Sequence, residues 1–262
     1  MIEMEVYHLD LDEVEIKESK FVFLPGAPER VPEIAKSFDP EAVEIAWKRE
    51  YRTWLGKVKN IPVLVTSTGI GGSSTSIAID ELAQLGVKTF IRIGTTGAIQ
   101  DNIKVGDVII TTGAVRLDGA STHYAPIEYP AVADYYVTHA LIEAAKSICK
   151  KANFNYHVGI TASSATFYQG QERYDSYSGY VIKKFRNSME EWQKLHVLNY
   201  EMESATLLTL CSSLGLKSGC ITGVVVNRTM QEQIDKNVVE IAEQRAIEIA
   251  IKAMRRLIES KY

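Results

Sequence analysis

SSTSIAIDELAQLGVKTFIRIGTT, residues 73–96, holds a helix signal followed directly by a strand signal. Serine and threonine residues open the stretch as candidate helix caps, apolar residues recur at helical spacing, and Gly86 ends the segment. The β-branched run 89–96 then predicts a strand. A helix that leads directly into a buried strand is the repeating unit of an α/β protein.

The same alternation extends along the chain. Strands are predicted at 21–26, in a meander within 43–69, and at 89–96, 107–115, 156–165, 197–202 and 217–227. Helices are predicted at 28–38, 73–86, 133–152, 178–195, 204–215 and 238–258. This pattern predicts a single α/β domain over residues 1–262, with a parallel or mixed sheet covered by helices on both faces. Ligands of such sheets bind beyond the carboxyl ends of the strands.

Composition excludes several classes of protein. The chain has 262 residues, 46% of them hydrophobic, and a net charge of −4, which argues against disorder and against nucleic acid as the main partner. Three cysteines without paired spacing, and an acidic N-terminus without a signal peptide, predict a cytoplasmic protein. The histidines are scattered, so they suggest no transition-metal site. The sequence contains no Gly-x-Ser-x-Gly motif, which is the commonest signature of a hydrolase.

Two strand ends carry groups suited to an anion. Gly26 ends the first predicted strand, and Arg30 follows one helical turn later. Arg92 lies inside an apolar strand that continues into GTTG, residues 94–97, where backbone N–H groups and threonine hydroxyls could form an anion nest. From the residues alone, GTTG is equally an ordinary tight turn. Arg92 needs an anionic partner, which is either a structural carboxylate or a bound oxyanion.

Two later segments suit a nucleoside. In FYQGQERYD, residues 167–175, Gln171 offers a carboxamide matched to a lactam edge, although a polar surface loop explains the segment equally well. In NYEME, residues 199–203, Glu201 and Glu203 point to one face of an extended chain. A carboxylate there could accept both hydroxyls of a ribose, or it could simply complement the dipole of the following helix.

These segments together resemble the nucleoside phosphorylase-I family over nearly the whole chain. The motifs that carry the resemblance are LPGAPER (24–30), STGIGGSSTSIAIDELAQLG (67–86), FIRIGTTGAIQ (90–100), TASSATFYQGQERYD (161–175), NYEMESATLLTL (199–210) and VVVNRT (224–229). The resemblance implies a three-layer α/β/α sandwich with a mixed, partly barrel-like central sheet. It also implies reversible phosphorolysis of a nucleoside, with uridine as the expected substrate, phosphate as co-substrate and no organic cofactor.

The resemblance assigns a role to each motif. Phosphate is expected at Gly26, Arg30, Arg92 and Thr95, with Arg49 from a neighbouring subunit. Ribose is expected at Tyr200, Glu201, Met202 and Glu203, with His8 from the neighbour. The base is expected at Phe167, Gln171 and Arg173, supported by Arg228. The catalytic roles fall to Arg92, Glu203, Arg173 and Gln171.

The resemblance also implies an assembly. It predicts a homo-oligomer, a hexamer built as a trimer of dimers, with active sites shared between two subunits. A monovalent cation such as potassium is expected at the dimer interface, near Glu50, Ile70 and Ser74. Neither a membrane nor a nucleic acid is expected as a partner.

Several positions depart from the family pattern. Ala27 stands where the family has aspartate, so Arg30 needs another partner to orient it. Lys48, Ala165 and Gln169 replace histidine, aspartate and proline. Three alternatives stay open: a phosphorylase of purine or broad specificity, a nucleosidase that uses water, and a catalytically silent nucleoside-binding protein.

Overall fold

A ten-stranded mixed sheet forms the centre of the fold. The computed structural model describes residues 4–230, 232 and 235–260. The strands are β1 (Glu5–Val6), β2 (Leu11–Asp12), β3 (Phe21–Pro25), β4 (Val43–Lys48), β5 (Tyr51–Val58), β6 (Ile61–Thr66), β7 (Thr89–Ala98), β8 (Val108–Leu117), β9 (Ala131–Val132), β10 (Tyr156–Ser164), β11 (Asn199–Glu201) and β12 (Lys217–Asn227). The α-helices are α1 (Val31–Phe38), α2 (Gly72–Gln84), α3 (Tyr135–Ala152), α4 (Ser188–Lys194), α5 (Ser204–Ser213) and α6 (Lys236–Ser260).

Part of the sheet closes on itself. The strand order is β11-β10-β8-β12-β7-β3-β6-β5-β4, and β11 also pairs with β7. That extra antiparallel pairing, Asn199 with Ala98 and Tyr200 with Gly97, joins β7, β12, β8, β10 and β11 into a closed barrel. The hairpins β4–β5 and β5–β6 extend the open side. The expected mixed, partly barrel-like sheet is confirmed.

Helices cover both faces of the sheet because each face is apolar. On one face, buried residues of α1, α3 and α6 pack with β3, β6, β7, β8 and β12 into one hydrophobic cluster. On the other face, α2 and α5 pack against β3, β5 and β6 in a second cluster. Residues 204–211 of α5 are all buried, as their apolar character on every side predicts. The result is the expected α/β/α sandwich.

Two local predictions are wrong. The helix expected at 178–195 is an irregular segment with a 3₁₀ turn at Lys183–Phe185, and only α4 is α-helical. Gly179 and Asn187 adopt positive φ angles of 59° and 63°, which interrupt a right-handed helix. The serines and threonine at 73–75 lie inside the first turn of α2 and do not cap it, since the N-cap residue is Gly71.

The remaining elements lie close to their predicted bounds, and the predicted meander forms β4, β5 and β6. The single domain over 1–262 stays a prediction; residues 1–3, 231, 233, 234, 261 and 262 lie outside the described part of the chain. No helix among the described residues is long and apolar enough to cross a bilayer.

Candidate active site

A cavity of about 730 Å³ opens where β3 and β6 end and where the loop after β10 folds back over the sheet. Its lining includes the whole GTTG turn, residues 94–97, and eleven residues predicted to bind substrate: Gly26, Arg30, Arg92, Thr95, Phe167, Gln171, Arg173, Tyr200, Glu201, Met202 and Glu203. The Gly69 N–H donates to the Gly26 carbonyl at 2.9 Å and ties the ends of β3 and β6 together. Segments far apart in sequence therefore meet at one hollow.

Arg92 is the central charge of this cavity. It lies on β7 between the parallel strands β3 and β12, opposite Leu24 and Cys220, and is 5% exposed. Its Nε donates to Glu201 Oε2 at 2.9 Å, and its Nη2 donates to Glu203 Oε2. A Cβ at Gly94 would lie 3.0 Å from Arg92 Nη2, so glycine leaves room for the guanidinium.

The two carboxylates are held in different ways. Glu201 accepts from Arg92, from the Glu203 N–H at 2.9 Å, and from the N–H and hydroxyl of Ser204 at 3.0 and 2.6 Å. It therefore satisfies the first N–H groups of α5. Glu203 accepts from Arg92 and, at 2.6 Å, from the Gly71 N–H at the start of α2. Glu203 is thus held between two helix N-termini at the cavity wall.

Burial and charge shift the pKa values of this group. Burial disfavours the charged form of Arg92, but the charges of Glu203 and Glu201 outweigh it and raise the pKa of Arg92. Burial, together with the charge of Glu201, raises the pKa of Glu203 against the opposing effect of Arg92. The pair of carboxylates thus keeps Arg92 charged throughout the physiological range.

Arg92 and Arg30 still offer unused donors. Among the described residues, Arg92 Nη1 and Arg30 Nε and Nη2 are buried and have no hydrogen-bond partner. Burial lowers the pKa of Arg30, and the charge of Arg92 lowers it further, so the two guanidinium groups are close enough to repel. The Thr95 hydroxyl lines the same wall and makes no hydrogen bond within the described chain. Buried cations with free donors form a site for an oxyanion.

The structural interpretation of Arg92 is confirmed, and the bound oxyanion stays a prediction. The structural carboxylates exist, and they are Glu201 and Glu203. They use Nε and Nη2 and leave Nη1 for another acceptor.

The loop after β10 forms the opposite wall. The Arg173 guanidinium stacks on the Phe167 ring at 4.2 Å, and its Nη1 donates to Glu232 at 2.7 Å. Gln171 is 3% exposed, and its carboxamide makes no hydrogen bond to any residue that the structure describes. Arg228 donates to the backbone carbonyl of Gln171 at 2.8 Å and to Glu232 at 2.9 Å. The Phe167 ring, with Arg173 stacked on it, and the unpaired Gln171 carboxamide thus lie on the same wall of the cavity.

The departures from the family pattern have local explanations. The Gln169 carboxamide donates to the Tyr180 carbonyl at 2.7 Å and accepts from the Ile182 N–H at 3.0 Å, which ties the loop after β10 to its return segment. Lys48 donates to the Tyr7 carbonyl at 2.7 Å and to Asp10 at 2.9 Å. The structure gives no account of Ala165.

Two predicted residues lie away from this chain's cavity. His8 binds Glu81, with Nδ1 at 2.6 Å from Oε1, and Arg49 is exposed in the turn between β4 and β5 at a φ of 55°. Lys48 links their two segments on one outer surface. Their placement suits residues that serve another subunit's site.

The predicted cation ligands also come together. The Ser74 hydroxyl donates to the Ile70 carbonyl at 3.3 Å, and a Cβ at Gly69 would meet the Glu50 side chain at 2.9 Å and the Ser74 hydroxyl at 3.4 Å. Ile70 is 79% exposed, so this cluster faces outward. A carboxylate, a carbonyl and a hydroxyl are oxygen donors of the kind that hard cations take, and they fit a monovalent ion.

Sequence reasoning gave no role to three residues at or beside the cavity. Glu232 and Glu243 line it, and Gly71, outside the lining, holds Glu203. No recognisable motif marks the two glutamates, and each has a partner that is distant in sequence. Gly71 stands in the quoted motif STGIGG, but its N–H could be assigned only from coordinates.

A second, wider hollow of about 1300 Å³ runs along the outer side of α6. Charged side chains such as Glu248, Lys252 and Arg255 line it, and it contains none of the predicted site residues. The candidate active site is therefore the smaller cavity, which holds the predicted site residues.

Comparison with known proteins agrees with this geometry. A family model described as the phosphorylase superfamily matches residues 20–259. A uridine phosphorylase of Escherichia coli (strain K12) is 55% identical over 258 residues, covering 98% of this chain and 100% of the relative. A uridine phosphorylase of Haemophilus influenzae is 51% identical over 254 residues, 97% and 98% of the two chains. A guanosine phosphorylase of Halorubrum lacusprofundi is 35% identical over 217 residues, 83% and 81% of the two chains. The chain belongs to the phosphorylase superfamily.

Proposed function

We propose that the chain is a uridine phosphorylase, a pentosyltransferase that serves pyrimidine nucleoside salvage. A phosphate oxygen forms a bond to C1′ of uridine while the C1′–N1 bond breaks, and the products are ribose 1-phosphate and uracil. The bond electrons leave with uracil, and the proton carried by the phosphate ends on uracil N1. The observation that carries the proposal is the set of unpaired guanidinium nitrogens of Arg30 and Arg92 facing one cavity with Glu203.

The attacking oxygen of phosphate is already ionised, so the protein needs to hold it in line with C1′ and need not remove a proton to activate it. In the proposal, Arg92 Nη1, the free nitrogens of Arg30, the Thr95 hydroxyl and the backbone at Gly26 bind phosphate, and Arg49 approaches from a neighbouring subunit. Several fixed cations around one anion favour a phosphate nucleophile over water, because a nucleosidase gains nothing from them.

The ribose lies against the acidic wall. Glu203 accepts hydrogen bonds from its hydroxyls, while Tyr200, Glu201 and Met202 support this wall and the neighbouring subunit's His8 meets the far end of the sugar. The sugar passes through an oxocarbenium-like state, as in glycoside hydrolysis, and a nearby carboxylate stabilises that positive charge. Because Glu201 is already engaged by α5 and Arg92, Glu203 is the principal diol ligand.

The base enters between the stacked Phe167 ring and the free amide of Gln171. Uracil gathers negative charge on its carbonyl oxygens as it leaves, and Gln171 and Arg173 are the donors that meet this charge. Arg228 supports the wall through the Gln171 carbonyl. No organic cofactor takes part in this scheme.

A pyrimidine fits better than a purine. Purine members of the resembled family pair a serine with an aspartate that protonates the base, and this chain has Asn227 and Arg228 there. The aspartate position corresponds to Arg228, whose guanidinium donates to Glu232 and to the Gln171 carbonyl and is not a carboxylic acid that could protonate the base. Asn227, at the serine position, donates to the carbonyls of Gln100 and Ile103 at 3.0 and 2.7 Å, which is a structural role.

The proposed enzyme is a cytoplasmic hexamer, a trimer of dimers. His8 and Arg49, which lie together on one outer surface, complete a neighbour's site. The oxygen donors of Glu50, Ile70 and Ser74 would hold a potassium ion where two subunits meet. One chain offers too few donors for a closed cation site, and a second copy across a two-fold axis would double them.

The experiment compares nucleosides with and without phosphate. Uracil should be released from uridine only when phosphate is present, and inosine should react about 10²-fold more slowly, because a base pocket built for one hydrogen-bonding edge rejects others strongly. Thymidine and cytidine are tested in the same way, with and without phosphate. Release of uracil without phosphate would instead identify a nucleosidase, preference for inosine would identify a purine enzyme, and no turnover would identify a silent binding protein.

A further inference from the structure

Arg30 is a buried cation that lacks a direct hydrogen-bonding partner. Its Nε and Nη2 are unpaired within the described chain, and both burial and the charge of Arg92 lower its pKa. A guanidinium in that position tends to turn toward water unless an opposite charge holds it. The nearby residue Ala27, at the position where the family resemblance implies an aspartate, has no charge to offer.

Glu243 supplies that charge from the other end of the chain. Its Oε2 lies 3.6 Å from Arg30 Nε, and no other carboxylate of the described residues lies within 4.0 Å of the Arg30 guanidinium. The distance is close enough for an ion pair and too long for a hydrogen bond, so the Arg30 donors stay free. Glu243 also lines the cavity, and its side chain is 20% exposed.

The packing of α6 fixes Glu243 without help from any ligand. Ala242, the preceding residue, lies so close to β12 that a Cβ at Gly223 would be 2.4 Å from the Ala242 carbonyl oxygen. Arg245 donates to the Gly106 carbonyl at 2.6 Å on the other side of Glu243. These two contacts hold the backbone of α6 on either side of Glu243, and they keep its carboxylate close to Arg30.

The charged groups around Glu243 are Arg30 on the opposite segment, Glu33 on α1 and Glu240 on α6 itself. Burial, Glu33 and Glu240 raise the pKa of Glu243, and Arg30 opposes them. The arrangement places a partly buried carboxylate beside one arginine of the anion site, and packing of the helix alone does not require a carboxylate there.

We infer that Glu243 is a positioning residue for the phosphate site: it orients Arg30 and balances its charge. This inference rests on the proposed function, in which Arg30 binds phosphate. Glu243 itself acts through Arg30 and does not contact the reacting atoms.

The test measures phosphate binding separately from turnover. In Glu243→Gln, the Kd for inorganic phosphate measured by calorimetry and the KM for phosphate should both rise about five- to tenfold, the size expected for losing a partly buried ion pair. The kcat and the KM for uridine should stay within about twofold, because neither the ribose nor the base wall changes. Glu248→Gln, an exposed carboxylate on the same helix, is the matched control and should match the unmodified chain.

A rescue variant separates positioning from general structure. Adding Ala27→Asp to Glu243→Gln should restore most of the lost phosphate affinity, because it returns a carboxylate one turn before Arg30. The inference is overturned if Glu243→Gln binds phosphate as well as Glu248→Gln or more tightly, or if the aspartate restores nothing. If the unmodified chain binds phosphate but does not convert uridine, the proposed function fails while the calorimetric comparison still decides the role of Glu243.

Discussion

Replacing Arg92 with alanine should reduce kcat/KM for phosphate about 10³-fold or more, because the change removes a preorganised cationic donor from the anion site. The same change should lower the free energy of unfolding by about 3–5 kcal/mol, since it leaves Glu201 and Glu203 buried without their shared cation. Steady-state kinetics with varied phosphate and a urea melt measure the two effects.

Arg116→Ala provides the comparison for stability. Its guanidinium donates to Ser121 and to backbone carbonyls of residues 125–129, away from the cavity. It should therefore destabilise the chain without changing the KM for phosphate. A destabilised Arg92→Ala variant with normal phosphate dependence would show that Arg92 serves only the fold.

Replacing Glu203 with glutamine should reduce kcat/KM for uridine about 10²- to 10³-fold, because hydrogen bonds to the 2′-hydroxyl that strengthen in the oxocarbenium-like state supply several kcal/mol. The shape of the side chain is kept, so its carboxamide oxygen still accepts from the Gly71 N–H. Inorganic phosphate should bind as well as before or more tightly, since Arg92 loses one competing carboxylate. Kinetics with uridine and calorimetry with phosphate measure these opposite effects.

The substrate 2′-deoxyuridine provides an internal control for Glu203. It lacks one of the hydroxyls that Glu203 is proposed to bind, so the penalty of Glu203→Gln should be at least about tenfold smaller with it. Equal penalties with uridine and 2′-deoxyuridine would mean that Glu203 acts through Arg92 or α2 and not through the sugar.

Much of this site could be predicted because its residues follow strand ends. Gly26 and Arg30 follow β3, Phe167 follows β10, and Glu201 ends β11. Carboxyl ends of parallel strands converge at one edge, so separate polar segments imply one pocket. An arginine inside an apolar strand, such as Arg92, signals a buried anion whether that anion is a protein group or a ligand.

Other features could not be predicted from local pattern. The sequence predicts the strand at 197–202 in which β11 forms, but it gives no sign of the pairing of β11 with β7 that closes the barrel and places Glu201. Glu243 lies on a helix whose spacing predicts only an amphipathic surface, and its partner is far away in sequence. The helix predicted at 178–195 does not form over its full length, because the segment contains residues that favour non-helical backbone; Asn187 adopts a left-handed conformation there.

The central claim is that this cavity joins phosphate to the sugar of a pyrimidine nucleoside. Phosphorus-31 NMR of the protein with uridine and inorganic phosphate tests it most directly. The account predicts that inorganic phosphate disappears as ribose 1-phosphate forms, in an amount equal to the uracil released. Uracil released while the phosphate signal stays unchanged would contradict the account.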